Sequence, residues 1–127
     1  MTKVLVVDDS NTIREVMCEQ LRGVGFEVSE ASDGAEAVGK LKALKDDAPE
    51  IIITDVVMPN MNGYEFCRWV KNNPATKNVP VIMCSTKGEA FDEHWAKKNG
   101  ASAYIRKPYE PVQLINTVNE LLAAAKS

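Results

Sequence analysis

The sequence predicts an α/β fold: one doubly wound sheet of five parallel strands with helices on both faces. Three observations lead there. Five strand-like and five helix-like segments alternate through all 127 residues, the signature of right-handed crossovers in a parallel sheet. Three of the strand segments are nearly continuous apolar runs, as strands covered on both faces must be. Four segments end next to residues able to hold a cation or a phosphoryl group, at the place where open α/β sheets bind their ligands.

Each element has its own local signal. Lys3-Val4-Leu5-Val6-Val7 is the first strand and runs into Asp8-Asp9. The first helix carries Ile13, Val16, Met17 and Leu21 on one expected core face, with Thr12 and Glu15 as a capping box and Gly23 and Gly25 as its stop. Phe26-Glu27-Val28-Ser29-Glu30 alternates in polarity, which suits an edge strand with one wet face. Asp33 opens a second helix bearing Ala37, Val38, Leu41 and Leu44. Ile51-Ile52-Ile53-Thr54 is the third strand and leads to Asp55. Asn62, with Glu65 three residues on, opens a helix that buries Phe66, Cys67 and Val70 and ends at Pro74. Val79 to Cys84 forms the fourth strand, with Pro80 near its start where a missing N–H is tolerated, and leads to Ser85. The fourth helix, about Lys87 to Asn99, is the least apolar; Phe91 and Trp95 anchor it and Gly100 stops it. Ala103-Tyr104-Ile105 precedes Lys107-Pro108. Pro111 sits in the first turn of the last helix, before Leu114, Ile115, Val118, Leu121 and Leu122 at helical spacing.

Size and composition narrow the function. A chain of 127 residues with 45% apolar content is expected to form a single domain, 1–127, with no effector domain after the fifth helix. A net charge of −3 gives neither a basic stripe for nucleic acid nor a polybasic membrane patch. No window has the length of a spanning helix and no leader precedes the first strand, so the expected location is cytoplasmic, without membrane insertion. Cys18, Cys67 and Cys84 read as reduced thiols filling apolar space. His94 reads as helix surface, and Trp69 as a candidate fluorescence reporter.

The strand ends carry the chemistry. Asp8, Asp9 and Asp55 crowd together if their strands are neighbours, and two carboxylates about 5 Å apart repel by roughly 3 kcal/mol at an effective dielectric near 20. A divalent cation relieves that repulsion, and a small set of hard oxygen ligands suits Mg²⁺. Zinc is excluded by a single histidine and by cysteines without ligand spacing. A carboxylate can attack phosphorus to form an acyl phosphate, and the transfer depends on positioning and charge stabilisation. Asp55 is the preferred nucleophile because it ends the middle of the three long apolar strands; Lys107 can supply the ammonium and Ser85 a hydrogen bond to a phosphoryl oxygen.

Taken together, Leu5-Val6-Val7-Asp8-Asp9-Ser10, Thr54-Asp55-Val56-Val57-Met58-Pro59 with Gly63, Met83-Cys84-Ser85-Thr86, and Gly100-Ala101 with Tyr104-Ile105-Arg106-Lys107-Pro108 resemble the response-regulator receiver domain, of the stand-alone, CheY-like type. The resemblance covers essentially the whole chain. It implies the flavodoxin-like (βα)5 fold with strand order 2-1-3-4-5. It implies Asp55 as phosphoacceptor, and Mg²⁺ (with Mn²⁺ as a substitute) held by Asp9, Asp55, the backbone carbonyl of Val57 and, through water, Asp8. It implies Lys107 and Ser85 as phosphoryl-binding groups, Ser85 and Tyr104 as the switch pair, and a candidate cis bond at Lys107-Pro108. The implied partners are a histidine kinase or phosphotransfer protein as donor, and a downstream protein that meets the helix 4–strand 5–helix 5 face. The implied assembly is a monomer or a phosphorylation-dependent dimer. The implied protein is a signalling phosphoacceptor rather than a turnover enzyme. The run Phe91 to Gly100 resembles the fourth helix of receivers in type IV pilus or phototaxis pathways.

Three other readings fit less of the pattern. A metal-dependent aspartyl phosphatase commonly carries Asp-x-Asp after its first strand, whereas this chain has Asp8-Asp9-Ser10. A flavin- or nucleotide-binding domain calls for a Gly-rich loop after a strand, and none is present. An interaction module that has lost phosphorylation has no use for the five polar groups at the strand ends.

Four positions depart from the commonest receiver pattern: Val57 two residues after Asp55, Thr86 and Lys87 after Ser85, and Tyr109 after Pro108. Thr86 is bulkier than the frequent alanine and is expected to slow phosphorylation by small donors. Neither Val57 nor Lys87 can serve as a base for an attacking water. The acyl phosphate is therefore expected to be long-lived in the purified protein; a phosphate-release assay showing its loss within seconds contradicts this.

Overall fold

The computed structural model describes residues 2–44, 47–85 and 90–125, and the side chains of all of these but 90–92. Its elements are β1 (Lys3–Val7), α1 (Asn11–Gly23), β2 (Glu27–Ala31), α2 (Gly34–Leu44), β3 (Ile51–Asp55), α3 (Gly63–Asn72), β4 (Val81–Ser85), α4 (Ala90–Lys98), β5 (Ala103–Arg106) and α5 (Pro111–Ala125). The five strands form one parallel sheet in the order β2-β1-β3-β4-β5. This is the flavodoxin-like arrangement the resemblance implied.

Alternation along the strands splits the interior into two cores. Leu5, Val7, Ile52, Val81 and Met83 pack against Ala37 and Leu41 of α2, Phe66, Cys67 and Val70 of α3, and Ala96 of α4. Val4, Val6, Ile51, Ile53, Ile82, Cys84 and Ile105 face Met17, Cys18 and Leu21 of α1 and Leu114, Val118 and Leu122 of α5. β1, β3 and β4 are buried along nearly their whole length, which is why their sequences lack alternation. The edge strand β2 alternates as expected, with Val28 and Glu30 less exposed than Glu27 and Ser29.

Element boundaries differ from expectation for local reasons. Phe26 lies outside β2 because its N–H is bonded to the carbonyl of Leu21 at the end of α1, so pairing with β1 begins at Glu27. β4 begins at Val81, after Pro80, which lacks the ladder N–H but whose carbonyl accepts from Ile52 N at 3.0 Å. Thr86, Lys87 and the expected start of α4 lie outside the described residues, as does the side chain of Phe91.

Two expectations for helix faces are corrected. The α1 cap is Ser10, not Thr12: Ser10 Oγ accepts from Ile13 N at 3.3 Å, and Thr12 lies inside the helix. The buried stripe of α1 is Met17, Cys18 and Leu21, while Ile13 and Val16 are 38% and 50% exposed. Arg14 occupies the inward position one turn before Met17 and Cys18, because polar partners there bind its guanidinium. On α2, Leu44 is likewise exposed, although Ala37 and Leu41 are buried and Asp33 caps the helix through Glu36 N at 2.8 Å. The Asn62–Glu65 capping box of α3 is formed as expected. Among the described residues no helix is long and apolar enough to cross a membrane.

One glycine sets the path of the chain after β3. A Cβ at Gly63 would lie 2.2 Å from the Asp55 carbonyl oxygen and 2.9 Å from the Val56 Cα, and Gly63 N donates to Val56 O at 2.8 Å. The α3 N-terminus therefore folds directly back onto the residues just beyond β3. Gly63→Ala is expected to destabilise the protein by about 1–3 kcal/mol, the usual range for overpacking, read as a lower urea midpoint at unchanged m-value.

Candidate metal and phosphoacceptor site

The site lies at the carboxyl ends of β1, β3, β4 and β5. Val7 pairs with Thr54 in the β1–β3 register, so Asp8 and Asp55 leave neighbouring strands at the same height. Carboxylate oxygens of Asp8, Asp9 and Asp55 all lie within 4.8 Å of one another. Lys107 comes just after β5 and reaches across β4: its Nζ donates to Asp8 Oδ2 at 2.7 Å and lies 3.7 Å from Asp55 Oδ1. The Lys107 backbone N–H donates to the Ser85 carbonyl at 2.7 Å, which holds the ends of β4 and β5 together. The Lys107-Pro108 peptide is cis, as the resemblance implied.

The three acids are not equivalent. Asp8 is buried, and its backbone N–H donates to Ala31 O at 3.1 Å. Both its oxygens are engaged: Oδ1 accepts from Ser10 N at 2.9 Å and Oδ2 from Lys107. Asp9 is exposed. Asp55 is intermediate in burial, with Oδ1 accepting from Val56 N at 2.8 Å. Its pKa is raised above the ordinary aspartate range, chiefly by burial; Lys107 pulls it down and the charges of Asp8 and Asp9 push it up. Lys107 is also raised: burial lowers it, but the Asp8 hydrogen bond and the charges of Asp55 and Asp8 outweigh that. The Asp55 shift reports burial first and neighbouring charge second, while the Lys107 shift reports the two carboxylates beside it.

An all-oxygen donor set with surplus negative charge fits Mg²⁺ or Mn²⁺. A soft metal finds no set here, since His94 is exposed on α4 and Cys18, Cys67 and Cys84 are free and buried in the cores. Val57 lies two residues beyond Asp55 with its side chain 55% exposed. Ser85 is buried at the end of β4. Tyr104 is half-buried on β5, packed against the α2–α3 core opposite Met83. Trp95 lies under the Lys98 ammonium at 4.9 Å, on the helix it was expected to anchor.

Two supports were not anticipated from sequence. Arg14 donates to the Asp8 carbonyl at 2.6 Å. Asn60, at φ 67°, donates to Asp33 Oδ2 at 2.9 Å, and Gly34 N donates to Met61 O at 3.3 Å, so the loop after Asp55 is fastened to the start of α2. Asn is among the few residues that tolerate a left-handed backbone, and that is the one signal the sequence carried for it.

The response regulator receiver domain family matches residues 4–119. The chain is 40% identical over 116 residues to Protein PilG of Pseudomonas aeruginosa, covering 91% of this chain and 84% of that protein. It is 32% identical over 123 residues to Protein PilH of the same organism, covering 97% and 99%. Among solved structures it resembles chemotaxis response regulator CheY4 of Vibrio cholerae, with a TM-score of 0.87, 36% identity, and coverage of 95% of this chain and 98% of that one. It also resembles the signal receiver domain of a signal transduction histidine kinase from Syntrophus aciditrophicus, with a TM-score of 0.89, 34% identity, and coverage of 98% and 92%. An acid cluster closed by one lysine, on a sheet wound in this order and matched along nearly its whole length, makes this chain a member of the response-regulator receiver family of two-component signalling.

Proposed function

We propose that Asp55 is the phosphoacceptor and that the phosphoryl group arrives from a phosphohistidine on a kinase or phosphotransfer protein. The observation that supports this is an Asp55 carboxylate 3.7 Å from the Lys107 ammonium and within 4.8 Å of ligand oxygens of Asp8 and Asp9. An Asp55 oxygen attacks phosphorus in line, the N–P bond breaks, and its electron pair stays on the departing imidazole. The Lys107 ammonium, its charged form favoured further by Asp8 and Asp55, neutralises a phosphoryl oxygen. Ser85, at the end of β4, donates a hydrogen bond to another. Mg²⁺ held by Asp9, Asp55, the Val57 carbonyl and, through water, Asp8 supplies charge neutralisation at the transferring group. The product carries about −1.5 to −2 charge where a single carboxylate stood.

Ser85 and Tyr104 relay that change to the surface formed by α4, β5 and α5. Support comes from the weak burial of α4: among its described side chains only Ala96 is buried, which marks an element of low local stability. The output is binding of a partner protein to this surface in the cytoplasm. Motility signalling is the favoured pathway, on the likeness to a chemotaxis response regulator.

Incubation with acetyl phosphate and Mg²⁺ and then intact-mass measurement is expected to show one added phosphoryl group, absent in Asp55→Asn and after chelation. Labelling that persists in Asp55→Asn overturns the assignment.

The donor has a natural approach. Ile13 and Val16, turned outward on α1, line with Thr12, Gln20, Pro108 and Tyr109 a groove of about 400 Å³ that ends at Lys107. An apolar surface continuous with the phosphoryl site suits a helical donor that must present its histidine there. Val16→Glu is expected to slow transfer from a phosphorylated donor protein about tenfold or more, the effect of losing about 1.4 kcal/mol of contact. Acetyl phosphate labelling of the same variant supplies the control for the site itself.

A further inference from the structure

We propose that Arg14 is a positioning residue for the acid cluster: anchored to Glu30 on β2, it holds the Asp8 carbonyl and so fixes the Asp8–Asp9 peptide from which the metal-binding acids project. The proposal rests on the reading of Asp8, Asp9 and Asp55 as a cation site. Arg14 Nη1 donates to Asp8 O at 2.6 Å, Nε donates to Glu30 Oε1 at 3.2 Å, and Nη2 donates to Asn11 Oδ1 at 2.5 Å. Its side chain is only 14% exposed.

The anchor is itself fixed. Glu30 pairs in register with Val6, and its other oxygen lies 3.4 Å from Arg22 Nη2. Strand alternation points it to the α1 side of the sheet, together with Val28. The planar fork of a guanidinium meets a carbonyl, a carboxylate and an amide from three separate nitrogens held in one plane, where an ammonium has its three donors on a single atom.

The carbonyl that Arg14 holds belongs to the peptide joining Asp8 to Asp9. The remaining polar groups of Asp8 are bonded to Ala31, Ser10 and Lys107. With the carbonyl also held, every polar group of Asp8 is bonded, and the backbone leading into the exposed Asp9 is restrained from the Asp8 side. An arginine this close to a cation site opposes the cation by charge alone. Its place there is explained by geometry: it fixes the ligand turn through a backbone oxygen and lends no ligand of its own.

Charge and positioning predict opposite signs, which gives the test. Mg²⁺ affinity is measured by titration calorimetry on the parent, Arg14→Gln, Arg14→Lys and Asp9→Asn proteins, at a temperature where circular dichroism shows each fully folded. Positioning predicts about tenfold weaker Mg²⁺ binding in both Arg14 variants, as for other groups that orient ligands from behind. It also predicts a displaced Asp9 amide resonance in the metal-free Arg14→Lys protein while core amides such as Val118 stay in place. Unchanged or tighter binding in Arg14→Gln, or parent-like binding in Arg14→Lys with an unmoved Asp9 resonance, overturns it. A parent that binds no Mg²⁺, or binds it as well after Asp9→Asn, defeats the cation-site reading itself, and the positioning role with it.

Discussion

Confinement of like charge governs this molecule. β1 and β3 are adjacent and locked in register by their ladder, which brings Asp8 and Asp55 out at the same height and crowds three carboxylates within 4.8 Å of one another. At such spacing a pair of carboxylates costs roughly 3 kcal/mol at an effective dielectric near 20. Lys107 offsets part of this, but unevenly: it sits 2.7 Å from Asp8 and 3.7 Å from Asp55. Asp8 is thereby neutralised and saturated with hydrogen bonds. Asp55 keeps a raised pKa and an oxygen that Val56 N does not hold. Asp55 thus stands between a buried, fully bonded Asp8 and an exposed Asp9.

The same lysine connects the site to the rest of the sheet. Its backbone N–H closes on the Ser85 carbonyl, so the residue whose ammonium lies between Asp8 and Asp55 is also tied to the place where β4 meets β5. Tyr104 lies on β5 three residues earlier, against the core that also receives α3 and Ala96 of α4. Among the described side chains of α4 only Ala96 is buried, and an element held by little buried surface responds to small forces.

Much of this was legible in the sequence, for identifiable reasons. Short, β-branched apolar runs at Val4–Val7 and Ile51–Ile53 read as covered strands, and the residues just beyond such strands lie at the ligand-binding edge. Asp8, Asp9, Asp55, Ser85 and Lys107 were therefore readable as one group before any coordinate placed them. Strand order was not readable from periodicity, because period-2 burial says which faces are covered and nothing about which strand is a neighbour; it came from the resemblance. Ser10 was passed over as the α1 cap because Thr12 and Glu15 have a better-known spacing, and only the hydrogen bond from Ile13 N decides between them. The Asn60–Asp33 tie spans 27 positions in sequence, and no local pattern announces it.

The misjudged face of α1 is the most instructive of these cases. Apolar periodicity favoured Ile13, Val16, Met17 and Leu21, yet the helix buries Met17, Cys18 and Leu21 with Arg14 one turn before them. Burying a guanidinium is unfavourable unless its donors are satisfied, and here the Asp8 carbonyl, Glu30 and Asn11 satisfy them. The phase of the helix is thus set by polar bonds at its first turns and by apolar packing further on. With Arg14, Met17, Cys18 and Leu21 on the inward stripe, Ile13 falls at its flank and Val16 on the far side, as a helical period of 3.6 residues requires. A single choice of helical phase therefore does two things at once: it bonds Arg14 to the Asp8 carbonyl and leaves an apolar groove open beside Lys107. Local rules of this kind fail most often where function has been built in, and at α1 the failure falls beside the acid cluster.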